Sequence, residues 1–200
     1  EIGINAIQAA FFDTDAQQVH QYNQAVVLHL REQTGLAQLQ AVVQALTSSH
    51  DAFRLRLTGA GQQSKVQITD NTPQYELTQI DLRGEETQAY KTALDTLHTG
   101  LDIYKGPLAR FAHLMTDAGE QLVIVMHHLI TDGVSWRILL EDIDTLLNQQ
   151  HAGQQLALEP STTPFGNYLV ALHEQVAAGR FDTELDYWSQ LSAQKVDTLF

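Results

Sequence analysis

The 200-residue sequence contains no cysteine. Disulfides, thiolate nucleophiles and Cys-ligated zinc or iron–sulfur centres are therefore excluded. Proline is scarce at four residues, so few segment boundaries are punctuated. Cations are scarce too: 11 Lys and Arg stand against 24 Asp and Glu, for a formal charge of −13. A nucleic-acid backbone or an anionic bilayer needs clustered Lys and Arg, so neither nucleic acid nor membrane is expected as a partner. An acidic surface suits a neutral or basic partner. No apolar run approaches the ~20 residues of a membrane-spanning helix. The opening Glu1-Ile2-Gly3-Ile4-Asn5 lacks the basic-then-apolar order of a secretory signal. The missing cysteines are compatible with a cytoplasmic setting. Internal repeats, low-complexity tracts, GxGxxG, Walker and GxSxG sequences are all absent. From a first residue of Glu rather than Met, and an end on Leu199-Phe200, a piece of something longer is expected.

The composition is 44% apolar, enough to pack the core of one domain. Helical and strand periods alternate, which places the chain in the mixed α/β class. Residues 23–31 hold a β-like apolar run. Apolar residues at 36, 39, 42, 43 and 46 form a helical stripe, with Thr34 placed to cap its start. In Phe53-Arg54-Leu55-Arg56-Leu57, strict alternation puts Phe53, Leu55 and Leu57 on one strand face and the arginines on the other. Arg54 is a candidate partner for a buried carboxylate. Strands are expected over 65–69 and 75–82, joined by a turn at Asp70-Asn71-Thr72-Pro73. A helix over 85–98 stops near Gly100. Strands over 108–115 and 121–127 form a hairpin through 116–120. Gly106-Pro107 reads as a turn, not a phosphate loop. Helices over 165–178 and 182–191 complete the pattern.

Leu122-Val123-Ile124-Val125-Met126 is apolar at every position, the mark of a strand covered on both faces and central in its sheet. A helix follows over 134–149, with Trp136, Leu139, Leu140, Ile143, Leu146 and Leu147 as its buried stripe. Arg137 and Glu141 make a modest surface pair on its other side. Between strand and helix lies His127-His128-Leu129-Ile130-Thr131-Asp132-Gly133. Open α/β sheets bind ligands outside strand ends of this kind. Alternation sends the two rings to opposite faces: His128, if the strand reaches it, with Leu122, Ile124 and Met126, and His127 with Val123 and Val125. The pair does not readily share a metal ion and no third ligand stands at helical spacing, so no metal site is expected. One working and one structural imidazole fit this placement, since a neutral ring can take and return a proton. The alternative is that both are satisfied core residues. Asp132 stands to cap the next helix or to pair with an arginine, and Gly133 to let the backbone turn tightly. The helix N–H groups stand to favour developing negative charge.

The same heptapeptide resembles the HHxxxDG motif of the condensation-domain superfamily of nonribosomal peptide synthetases. The following Val134-Ser135-Trp136-Arg137-Ile138-Leu139-Leu140-Glu141-Asp142 is similar to the epimerisation branch, which often reads DGVSWRILLEDL. His50-Asp51-Ala52-Phe53-Arg54-Leu55-Arg56-Leu57 resembles that branch's HDALRLRF. Ile7-Gln8-Ala9-Ala10-Phe11-Phe12 is similar to its opening PIQxWFF, and Asn23-Gln24-Ala25-Val26 to the strand that follows. Ser161-Thr162-Thr163-Pro164-Phe165 resembles its STSF-like helix start. The matches run in order along nearly the whole chain. Ala6 and Ala10 stand where Pro and Trp are usual, and Ser49 where condensing members usually have Arg, which leaves Arg54 as the matching arginine.

The resemblance implies a chloramphenicol-acetyltransferase-like N-terminal lobe over residues 1–200, with a mixed, mostly antiparallel sheet flanked by helices, and a C-terminal lobe outside this chain. It implies epimerisation at the α-carbon of an aminoacyl or peptidyl thioester held on the phosphopantetheine arm of a peptidyl carrier protein domain. His128 is then the catalytic acid/base, supported by His127, Asp132, Gly133, Arg54 and Trp136. A glutamate is expected from the other lobe, and the lobe alone is expected to be inactive. No cofactor is bound directly; the partners are the carrier domain, the C-terminal lobe and adjacent synthetase modules. The alternatives are a condensation domain joining two carrier-bound substrates, and a non-catalytic docking or scaffold domain of a synthetase.

Overall fold

The computed structural model describes residues 1–13, 18–70, 74–160 and 163–193. Its architecture is mixed α/β, with two sheets flanked by helices. The larger sheet has the order β2-β7-β6-β5, with β2 at Asn23–His29, β5 at Leu77–Asp81, β6 at Ala109–Thr116 and β7 at Gly119–His127. Only the β5–β6 pair is parallel; the other two pairings are antiparallel. The smaller sheet joins β1 at Ile2–Gly3, β4 at Lys65–Ile68 and β3 at Leu55–Thr58, all antiparallel.

Strand β7 is the axis of the molecule. Its residues from Gln121 to His127 are all buried, because it runs between β2 and β6 and is covered on both faces. Leu122, Ile124 and Met126 face one core, shared with α2 (Leu36–Ser49) and α4 (Gly133–His151) through Leu39, Val43, Leu46, Leu139, Ile143 and Leu146. Val123 and Val125 face a second core, with Ala93 and Leu97 of α3 (Thr87–Thr99). Each buried leucine or phenylalanine contributes about 1.5–3 kcal/mol, so the sheet is clamped from both sides. The β6–β7 hairpin turns at Asp117-Ala118, and Gly119 holds φ +118°, a backbone conformation that side chains disfavour.

The helices α1 (Ala6–Asp13), α5 (Phe165–Ala177) and α6 (Leu185–Ser192) complete the element list. Helix α5 packs on β1 and on the turn at 51–54, where Gly166 N donates to Asp51 Oδ2 at 3.2 Å. No helix among the described residues is long and apolar enough to cross a membrane.

Several local expectations are corrected. Phe53 and Arg54 lie in a 3₁₀ turn, Asp51–Arg54, and the strand begins only at Leu55. The Phe53 carbonyl is taken by the Tyr75 hydroxyl at 2.6 Å and the Arg54 carbonyl by Thr69 N at 3.1 Å, so neither joins a regular ladder. Phe53 still points inward, against Tyr75 and Phe111 with ring centroids 5.6 and 6.2 Å away. Thr34 does not cap α2. Gln38 Oε1 accepts from Gly35 N at 3.0 Å, while Thr34 is buried against Glu32 O and His151 Nε2. The second strand of the expected pair, β5, joins the other sheet rather than β4. Of the turn expected between them, Asn71, Thr72 and Pro73 lie outside the described residues, as do Ser161 and Thr162 of the later motif.

Candidate functional site

The site forms where β7 ends. Ladder pairing with β2 closes at Asn23 opposite His127, and His128 N still donates to Tyr22 O at 2.8 Å. Strand alternation then separates the two rings. His127 turns inward and is fully buried. Its Nε2 lies 2.8 Å from Val19 O, which can only accept, so Nε2 carries the proton. Its Nδ1 accepts from Leu129 N at 3.2 Å. Phe11 and Tyr22 close edge-on around it, with centroids at 5.6 and 6.4 Å. Burial pushes its pKa down to about 4. The His127 ring is thus neutral, fully buried and engaged at both nitrogens.

His128 is half-buried. Its ring stacks on Tyr22, 5.0 Å between centroids and 15° between planes. Nδ1 lies 2.7 Å from Thr131 O and must donate to it. Nε2 lies 3.0 Å from the Gln24 carboxamide nitrogen. The direction of that contact is fixed from the far side. Trp136 Nε1–H, a donor only, reaches Gln24 Oε1 at 2.8 Å. The Gln24 NH2 therefore faces His128, whose Nε2 carries a lone pair. Trp136, Gln24, His128 and the Thr131 carbonyl form one oriented chain around a half-buried ring.

Asp132 is the N-cap of α4. Its Oδ1 accepts from Ser135 N and from Ser135 Oγ, both at 2.7 Å. The Ser135 backbone N–H, then its hydroxyl, hold the Asp132 carboxyl below the usual carboxylate range. Of the two expected roles, capping is realised and pairing with an arginine is not. The cap takes the Ser135 amide, so that N–H is not free to meet a developing oxyanion. Gly133 needs no special backbone: its φ is ordinary, and a Cβ there would meet open space. Trp136 is half-buried against the core, using its indole N–H as a polar handle. On the same helix Leu139, Ile143 and Leu146 are buried, while Leu140 and Leu147 are half-covered.

Arg54 is not brought into this group. Its Nε is buried without a hydrogen-bond partner, and among the described residues it pairs with no carboxylate. The carboxylates nearest to it in sequence and in the motif work elsewhere: Asp142 Oδ2 meets His50 Nε2 at 2.7 Å, and Asp51 accepts from Gly166. Among the described residues no cluster of three His, Asp or Glu is placed to hold a metal ion. A surface concavity of about 380 Å³ lies at the other end of α4, between Leu28, Arg31, Leu147 and His151. His128 is not part of it.

Sequence reasoning named Trp136 and both histidines but missed Gln24 and Tyr22 as members of the site. The signal within reach was Gln24 itself, one of the two polar residues that open β2 before its apolar run.

The family model described as Condensation domain matches residues 1–199. A linear gramicidin synthase of Brevibacillus parabrevis is 36% identical over 202 residues, covering 98% of this chain and 4% of that protein. A surfactin synthase of Bacillus subtilis is 30% identical over 206 residues, covering 100% of this chain and 6% of its own length. The chain thus spans a small fraction of these curated relatives. Among solved structures, the epimerization domain from the third module of tyrocidine synthetase B superposes with a TM-score of 0.86 at 28% identity, over 99% of this chain and 46% of that one. The starter condensation domain of rhizomide synthetase shares the fold, with a TM-score of 0.78 at 18% identity, over 98% of this chain and 51% of that one.

Proposed function

Because this chain belongs to the condensation-domain family of nonribosomal peptide synthetases, we propose that it is the N-terminal lobe of an epimerisation domain. Its substrate is an aminoacyl or peptidyl thioester carried on the phosphopantetheine arm of a peptidyl carrier domain. A thioester acidifies the neighbouring α-proton, and inversion needs that proton removed on one face and another supplied on the opposite face. The observation that carries this reading is His128: a half-exposed imidazole at a strand end, its Nε2 lone pair fixed by Gln24 and its Nδ1–H tied to Thr131 O. That is the form a general base takes. His127 and Asp132 hold the loop that presents it. The likeness to an epimerization domain at 28% identity supports this branch of the family.

The coverage of 46% supports a domain completed by a second lobe, from which a glutamate is expected as the opposing acid. The other partners are the carrier domain and the adjacent synthetase modules; no diffusible cofactor enters. The test is made in the complete synthetase module, with its carrier charged as L-aminoacyl thioester in D2O. Epimerisation appears as deuterium uptake at the α-carbon with formation of the D-thioester, and His128→Ala abolishes both. Amide formation without α-exchange assigns condensation instead, and neither reaction assigns a scaffold.

A further inference from the structure

We propose that the Gln24 carboxamide is the oxyanion donor of this site, held in place by Trp136. The inference rests on the proposed epimerisation at His128 and extends it to a second group that touches the substrate. Three observations lead to it. The Asp132 carboxylate takes the Ser135 amide at the start of α4, so that N–H is not available as the donor. The Gln24 oxygen is pinned by the Trp136 indole at 2.8 Å, which aims the amide nitrogen outward toward the base. And that nitrogen stands 3.0 Å from the basic nitrogen of His128.

The spacing matches the substrate. In a thioester the α-carbon and the carbonyl oxygen are two bonds apart, about 2.4 Å. A base and a hydrogen-bond donor 3.0 Å apart can therefore face a Cα–H and its own carbonyl oxygen side by side. In the resting site the two protein groups satisfy each other, with Gln24 donating and His128 Nε2 accepting. When the thioester enters, one amide N–H turns from the imidazole lone pair to the carbonyl oxygen. The α-proton moves to His128 Nε2, the C–H electron pair becomes the Cα=C bond, and the carbonyl π pair comes to rest on the oxygen that Gln24 holds. A carboxylic acid on the opposite face then gives its proton to Cα, where the Cα=C pair forms the new C–H bond while the oxygen's pair reforms the carbonyl; Nε2 releases its proton to solvent, solvent reprotonates the carboxylate, and the Gln24 N–H returns to the ring.

The experiment uses the complete module with L-aminoacyl carrier domains supplied in trans, covering small, branched, aromatic and charged side chains. Gln24→Met keeps the length and removes the donor. Gln24→Glu keeps a polar group that accepts from Trp136 but donates nothing. Both are expected to lower kcat for α-deuterium exchange by ~10²–10³-fold, with KM changed by less than about threefold, the cost of one oxyanion donor. Trp136→Phe leaves the amide but frees it, and costs about tenfold. A Gln24→Met enzyme within about threefold of the unaltered kcat, or a Gln24→Glu enzyme that recovers the rate, overturns the assignment, because the residue then serves only packing or polarity. If the unaltered module exchanges no α-proton, the epimerisation reading itself falls, and the assignment with it. If it exchanges normally and only the Gln24 variants fail to slow it, the assignment alone falls.

Discussion

Acidification from about pH 7 to about pH 5 weakens this fold through one buried ring. His127 is 0% exposed, and burial pushes its pKa from 6.5 down to about 4. The unfolded chain takes up a proton near 6.5, whereas the folded chain refuses it until about 4. Unfolding therefore binds a proton between those values, and stability falls as the pH drops through that window. The contribution is fully present above 6.5 and flat below about 4. The whole gap corresponds to about 3 kcal/mol, of which about 2 kcal/mol is lost between pH 7 and pH 5. With a urea slope of about 2 kcal/mol per molar, the urea midpoint moves down by about 1 M. The assay is urea unfolding of the chain at a series of pH values, for the unaltered protein and for His127→Gln. Glutamine keeps a donor for Val19 O and an acceptor for Leu129 N but does not titrate in this range. Its midpoint is expected to vary less across the same window, by about 1 M. An identical pH slope in the two proteins refutes the reasoning.

Two further outcomes follow from the same environment. Asp132→Ala removes the cap of α4 and costs about 1 kcal/mol in chemical denaturation; because the Ser135 amide and hydroxyl depress the Asp132 carboxyl, that difference narrows only in acid, as the pH falls through the lowered value. Arg54→Met replaces a guanidinium whose Nε is buried and unpartnered with an apolar chain of similar length. Its thermal midpoint is expected to stay level or rise, and a loss of more than about 2 kcal/mol would reveal a partner.

The parts of the fold carried by periodicity were readable in advance. The unbroken apolar run at 122–126 announced a central strand, and the stripe at 139, 143 and 146 announced the helix behind it. Two of the misreadings trace to contacts from far along the chain. Alternation at 53–57 mimics a strand, but the Tyr75 hydroxyl claims the Phe53 carbonyl from outside the local sequence. The cap expected at Thr34 is undone by His151, which lies far along the chain. At the site, the split between two histidines was legible because it depends only on alternation. The role of Gln24 was not, because it arises from a neighbouring strand and from an indole on the next helix. Trp136 packs against the core as its spacing predicts, but amphipathic spacing does not tell whether an indole N–H finds a partner there.

The pleat that separates His127 from His128 makes which imidazole is sealed and which half-exposed a matter of strand register. With a side-chain period of two, a slip of one residue in β7 would carry every inward group to the other face. The sealed ring would surface and the wet ring would sink, with the composition unchanged. Seven paired positions along β2 and eight along β6 oppose that slip. A single-residue insertion anywhere along those ladders would therefore act on the chemistry as a swap of the two histidines, without touching either one.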